Sequence, residues 1–226
     1  MLRLHHAPRR NAVHDRRAVR AGHYTADPIG LKITAQTYET RGLNGLFGAL
    51  RDASPDYWGR RVIEQHLKST ALSELDYLLH SPDDRAGALG FGLNAEPPAP
   101  LRDYNRTIDL ERLQRIADAI IADEDIPAND PDAQQAHELL GGTSMGGARP
   151  KAVVEDDEGL WIAKFNRADD RWDYAKIERA MLLLASECGI RTASSKRTTI
   201  GDRAALLVKR FDREKAEAGY RRARML

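Results

Sequence analysis

The sequence holds one cysteine, Cys188, so no disulfide forms within it. No stretch approaches the roughly 18 consecutive apolar residues that a membrane helix needs. An excess of one charge is missing as well. The 35 Lys and Arg face 34 Asp and Glu, a formal net charge of +1, which gives no whole-chain case for a direct DNA-binding surface. These absences point to a cytoplasmic, reducing setting with no membrane contact. With 226 residues and 42% hydrophobic content, the chain can bury a core and form one or two domains.

Charge is nevertheless uneven. The first 24 residues carry six arginines, four histidines and a single acidic residue, Asp15. Composition of this kind leads us to expect a basic, poorly ordered tail over 1–28. From Ile29 to about residue 93 short elements follow: a strand candidate at Leu31 and Ile33, then a turn at Ser54 to Asp56 that opens a helix from Tyr57 to Lys68. Trp58, Val62 and Leu67 of that helix can face a core. A second helix is expected over Ser73 to Leu79. Residues 94–105 hold three prolines and read as a linker. Beyond it Leu110, Leu113, Ile116, Ala117, Ile120 and Ile121 share one helical face. A short helix from Asp132 to Leu140 then runs into "GGTSMGGARPK", Gly141 to Lys151.

That glycine-rich loop has two readings. Glycines supply positive φ angles for a turn before the apolar run Ala152, Val153, Val154, or they let backbone N–H groups approach phosphate oxygens. A Walker A loop is excluded, because Gly147 is followed by Ala148 rather than lysine. The segment "KAVVEDDEGLWIAKFN" reads as a β-hairpin turning at Asp156 to Gly159. Alternation puts Trp161, Ala163 and Phe165 on one face and Leu160, Ile162 and Lys164 on the other. Lys164 thus shares a face with two large apolar residues, and either its stem carries the ammonium out to solvent or it binds phosphate beside a carboxylate. Glu178 supplies a candidate carboxylate. It lies on a helix with Ile177, Met181, Leu184 and Cys188 as expected core stripe and Gly189 as its stop. Strands are expected at Arg197 to Ile200 and Ala204 to Val208.

The order of glycine loop, strand, strand with Lys, helix with Glu and two further strands is that of a protein-kinase small lobe. The segments "GGTSMGGARPKAVV", "LWIAKFN", "IERAMLLLASECGI" and "LLVKRFDR" resemble the ATP-site segments of the HipA family of bacterial toxin-type serine/threonine kinases. Upstream, "LFGALRDASPDYWGRRVIE" and "DYLLHSPDDRAGALGFG" resemble that family's amino-terminal region. The resemblance covers Ile29 to Leu226 and implies an α+β fold: an amino-terminal subdomain over 29–93 and a kinase-like small lobe over 106–226. It implies ATP and Mg²⁺ as cofactors and a HipB-like helix-turn-helix antitoxin as partner. By position, Met145, Gly146, Gly147, Ala148, Arg149 and Lys151 would form the phosphate-covering loop, and Lys164 would contact phosphates with Glu178 as its brace. Lys209, Arg210 and Phe211 would form the hinge, whose backbone groups hold the adenine. Ser144 matches the loop serine whose phosphorylation silences kinases of this family, although a serine there also suits a turn.

The chain departs from the family in two places. Its amino-terminal "MLRLHHAPRRNAVHDRRAVR" stands where the family has its first strands. No Asp-x-His-x-x-Asn segment, which in the family carries catalysis and Mg²⁺ binding, is present. We therefore expect a truncated or split kinase that is inactive alone, completed by a separate large-lobe chain. The alternative is a non-catalytic module that binds an antitoxin or another partner. No residue encodes the protein substrate.

Overall fold

A five-stranded sheet carries the larger core. The fold is that of a computed structural model, described over residues 2–7, 10–15, 27, 29–32, 37–82, 84–93, 104–106, 109–124, 147–217 and 219–223. The strands are β4 (Asn105–Arg106), β5 (Lys151–Asp156), β6 (Gly159–Phe165), β7 (Ser195–Ile200) and β8 (Arg203–Lys209). They lie in the order β4-β5-β6-β8-β7, and all neighbours are antiparallel except β4, which runs parallel to β5. The β5–β6 hairpin turns where the sequence puts it. Asp156 accepts from the Glu158 N–H, and Gly159 takes a φ of 125° that an L side chain resists.

Helices α1 (Gly48–Asp52), α2 (Tyr57–Leu67), α3 (Glu74–His80) and α4 (Leu110–Ile121) precede the hairpin, and α5 (Tyr174–Glu187) follows it. Asp56 caps α2 through the Gly59 N–H, and Ser73 closes a capping box with Asp76 on α3. On one face of the sheet, Trp58 and Val62 of α2 and Leu110, Leu113, Ile116, Ala117 and Ile120 of α4 pack against Val154, Trp161, Ala163, Phe165 and Leu207. The stripe read from the sequence is thus the buried face of α4. A smaller cluster joins Leu31, Leu46, Phe47, Leu50 and Leu78. The other face of the sheet receives α5 on Ala204, Leu206 and Val208.

Helix α5 buries a different stripe from the one expected. Ile177, Met181 and Leu184 are 46%, 59% and 55% exposed, and Cys188 is exposed as well. Ala175 is buried, while Glu178, Arg179, Leu182 and Ala185 are half-buried on the same side. Periodicity selects the more hydrophobic stripe. Here small side chains let the helix lie close to β8, and the larger ones point outward. The stop at Gly189, with φ 81°, is where the sequence has it.

The expectation of a tail over 1–28 is corrected for residues 2–7 and 10–15, and most of the remainder lies outside the described residues. In place of a poorly ordered tail, β1 (Leu2–Ala7) and β2 (Arg10–Asp15) form an antiparallel hairpin, and β2 pairs with β3 (Tyr38–Thr40). Strand pairing is made by backbone groups, so a basic composition does not forbid it. A second unanticipated hairpin, β9 (Arg213–Ala216) with β10 (Gly219–Arg222), follows the sheet. The expected helix at 132–140, Ile33 and linker residues 94–103 lie outside the described residues. Among the described residues no helix is long and apolar enough to cross a membrane.

Candidate phosphate-binding site

Lys164 is placed by strand register. Its direct partner on β5 is Lys151 and on β8 is Leu206, so it projects on the α5 side of the sheet. There its ammonium donates to the Glu178 carboxylate, one turn into α5. Both remain accessible, at 29% and 39% side-chain exposure. Half-buried Ile162 and Val208 share the face. A cation at a sheet surface, braced and reachable, with apolar neighbours, fits a nucleotide phosphate and base.

The helix carrying Glu178 is itself tied to the strand carrying Lys164. Asn166, just beyond β6, accepts from the Ala175 N–H at 3.1 Å and donates to Asp173 at 2.9 Å. Asp173 caps the helix through the Lys176 N–H and pairs with Arg197 on β7. Burial works to raise the Asp173 pKa, but these hydrogen bonds and the Arg197 charge outweigh it and hold it below the ordinary value. Asn166 and Asp173 were not picked out from the sequence. The signal was present in the "KFN" segment and in an aspartate at a helix start.

The remaining candidates separate into three groups. Ser144, Met145 and Gly146 lie outside the described residues. Gly147, with φ 102°, and Ala148 form the described end of the loop, where Arg149 pairs with Asp170 and stacks 4.3 Å from the Tyr174 ring centre. Lys151 is almost wholly buried, and its ammonium bonds Asp56 at 2.5 Å and the Gly147 carbonyl at 3.1 Å. Burial pushes its pKa down, and the nearby Lys164 charge adds to this against the pull of Asp56.

The "KRF" segment divides likewise. Lys209, the last residue of β8, lies 5.6 Å from the Trp161 ring centre. Arg210 is enclosed, its guanidinium shared between Asp84 and Asp212 and its N–H bonded to the Leu160 carbonyl. Its side chain therefore holds the fold, whereas Phe211 is 77% exposed. A cleft of about 800 Å³ lies on the α4 side of the sheet, away from Lys164, where Arg203 pairs with Asp118 and Arg167 with Asp169. Among the described residues no three His, Cys, Asp or Glu side chains converge as metal ligands.

A mostly antiparallel sheet with a helix on one face and a Lys–Glu pair between them has the layout of a protein-kinase small lobe. Residues 143–226 match the model of the HipA-like C-terminal domain family. Among solved structures, HipA of Shewanella oneidensis MR-1, described as a toxin–antitoxin complex of HipA, HipB and its operator DNA, shares the fold with a TM-score of 0.56 at 17% identity. That match covers 99% of this chain and 51% of the HipA chain, so this chain spans about half the length of its relative. No curated protein matches. The HipA-like resemblance read from the sequence therefore stands, by family over residues 143–226 and by fold over nearly the whole chain.

Proposed function

We propose that this chain is the nucleotide-gripping part of a HipA-like serine/threonine kinase of a toxin–antitoxin system. The observation that carries the reading is the Lys164–Glu178 pair, held between β6 and α5 by Asn166. Lys164 binds the phosphates, Glu178 fixes its position, and the end of the glycine loop at Gly147 and Ala148 lies over them. Bound ATP supplies the γ-phosphoryl group that a kinase transfers, with Mg²⁺ offsetting its charge. The catalytic aspartate and the Mg²⁺ ligands come from outside these 226 residues, since they contain no Asp-x-His-x-x-Asn segment. A phosphate on Ser144 would bring about two negative charges to a loop that faces phosphates, which opposes nucleotide binding.

The partner we propose is a HipB-like helix-turn-helix protein in the cytoplasm, by analogy with the assembly described for the Shewanella protein. DNA contact is then made mainly by the partner, in keeping with the net charge of +1. A second reading, a binding module that transfers nothing, is favoured by the internal carboxylates that occupy Arg149, Lys151 and Arg210. Calorimetric titration with ATP tests the nucleotide grip that the first reading requires. Lys164→Ala is expected to lose about 1–3 kcal/mol of ATP binding, the worth of a charge-assisted contact. Equal affinity in both proteins would remove Lys164 from the site.

A further inference from the structure

Lys151 and Lys164 are direct partners across β5 and β6, yet they have different counter-ions. Lys164 shares Glu178 and stays reachable. Lys151 is 2% exposed and is held by a residue 95 positions earlier, Asp56, itself 8% exposed. The other Asp56 oxygen caps α2 through the Gly59 N–H at 2.8 Å. Two residues after Asp56, the Trp58 indole donates to the Lys151 carbonyl at 3.0 Å. Lys151 also bonds back to the Gly147 carbonyl. The end of the glycine loop is thus fastened to the first turn of α2 through a single lysine, by its ammonium and by its backbone.

We propose that Asp56 sets the phosphate affinity of the Lys164 site by holding the Lys151 ammonium as its counter-charge, so that Asp56 and a phosphate oxyanion compete for Lys151. The inference rests on the nucleotide reading above and extends it to a positioning residue in the amino-terminal half. No covalent step is involved. Lys151 exchanges one anionic partner for another, and the Gly147 carbonyl is released when it does. A buried ammonium deprived of its carboxylate is strongly unfavourable, so a neutral residue at 56 turns Lys151 toward any anion bound beside Lys164.

Asp56→Asn tests this, because asparagine caps a helix as well as aspartate and removes only the charge. Asp56→Ser, also a capping residue, is read in the same way if the first variant does not fold. ATP is titrated calorimetrically into the full chain, the neutral-cap variant, Lys151→Met and the double variant. The neutral-cap variant is expected to bind ATP about tenfold more tightly, one added charge-assisted contact, and the gain should vanish when Lys151 is also Met. In parallel, acetic anhydride labelling read by mass spectrometry should find Lys151 protected in wild type, reactive in the neutral-cap variant, and protected again by ATP. ATP binding that depends on Lys164 but is unchanged by neutralising Asp56, or a gain that persists without Lys151, overturns the competition. Absence of ATP binding in every protein overturns the nucleotide reading, and this inference with it.

Discussion

Asp84 and Arg210 are 126 residues apart in sequence, and their side chains meet at 2.7 Å in a site closed to solvent. Arg210 also bonds Asp212, and Arg213 bridges Asp212 and the Arg85 carbonyl. The loop after α3 is thereby locked to the chain leaving β8. Arg210→Met keeps the stem and leaves two buried carboxylates short of a cation, which is expected to cost about 3–5 kcal/mol of stability. Urea denaturation measures it. A cost below about 1 kcal/mol would show that Arg210 does not hold the fold.

The two carboxylates of this cluster titrate in opposite senses. Burial pushes the Asp84 carboxyl up to about 6 against the opposing charges of Arg210 and Arg213. For Asp212 burial works upward too, but the hydrogen bond from Arg210 and both guanidinium charges prevail and hold it below the ordinary value. A depressed Asp212 adds stability above the unfolded pKa near about 4, and this is lost as pH falls through its folded value. A raised Asp84 does the reverse. Its contribution is full below about 4 and is lost as pH climbs toward about 6. Denaturation of wild type and Asp84→Asn over this range should therefore show the difference moving in favour of the variant between about pH 4 and 6. A constant difference would mean that Asp84 titrates normally.

How far the sequence discloses this molecule depends on the range of each interaction. The α4 stripe and the β5–β6 hairpin follow from local period and turn chemistry, so they are readable directly. The Lys164–Glu178 pair spans 14 residues and emerges once strand face and helix face are both assigned. Asp56 with Lys151 and Asp84 with Arg210 are invisible to such reasoning. Nothing local in "SPD" or "KRF" names a partner about a hundred residues away, and a lysine beside a glycine loop reads naturally as a phosphate ligand. The amino-terminal hairpin escaped for another reason, since its pairing with β3 is written in backbone groups that composition does not report.

The two faces of α5 differ in what they tolerate. Met181 is 59% exposed, so Met181→Gln is expected to change stability by less than about 0.5 kcal/mol. Ala175 is buried against Ala204 and Leu206, where Ala175→Leu overfills the gap at a cost of about 1–3 kcal/mol. Thermal denaturation of both variants tests the assignment. A large loss at Met181 with tolerance at 175 would restore the stripe that periodicity selects and invert the helix.

Asn166 links fold and site most directly, since its two side-chain atoms serve two different ends. The oxygen accepts from the Ala175 N–H, one of the unpaired donors of the first turn of α5, and the amide nitrogen steadies the capping Asp173. Asn166→Ala removes both bonds and leaves a buried N–H unsatisfied, which is expected to cost about 1–3 kcal/mol. Asn166→Asp keeps the acceptor but sets a second carboxylate against Asp173, so it should lower stability too, and less at acid pH, where either group is protonated. The consequence for the site runs through Glu178, because a loosened helix start no longer fixes its distance to Lys164. Nucleotide titration should accordingly show weaker binding in Asn166→Ala even where melting shows the protein fully folded. Wild-type affinity in a destabilised Asn166→Ala would mean that the strand alone positions Lys164, and that the helix is an ornament to the site rather than its brace.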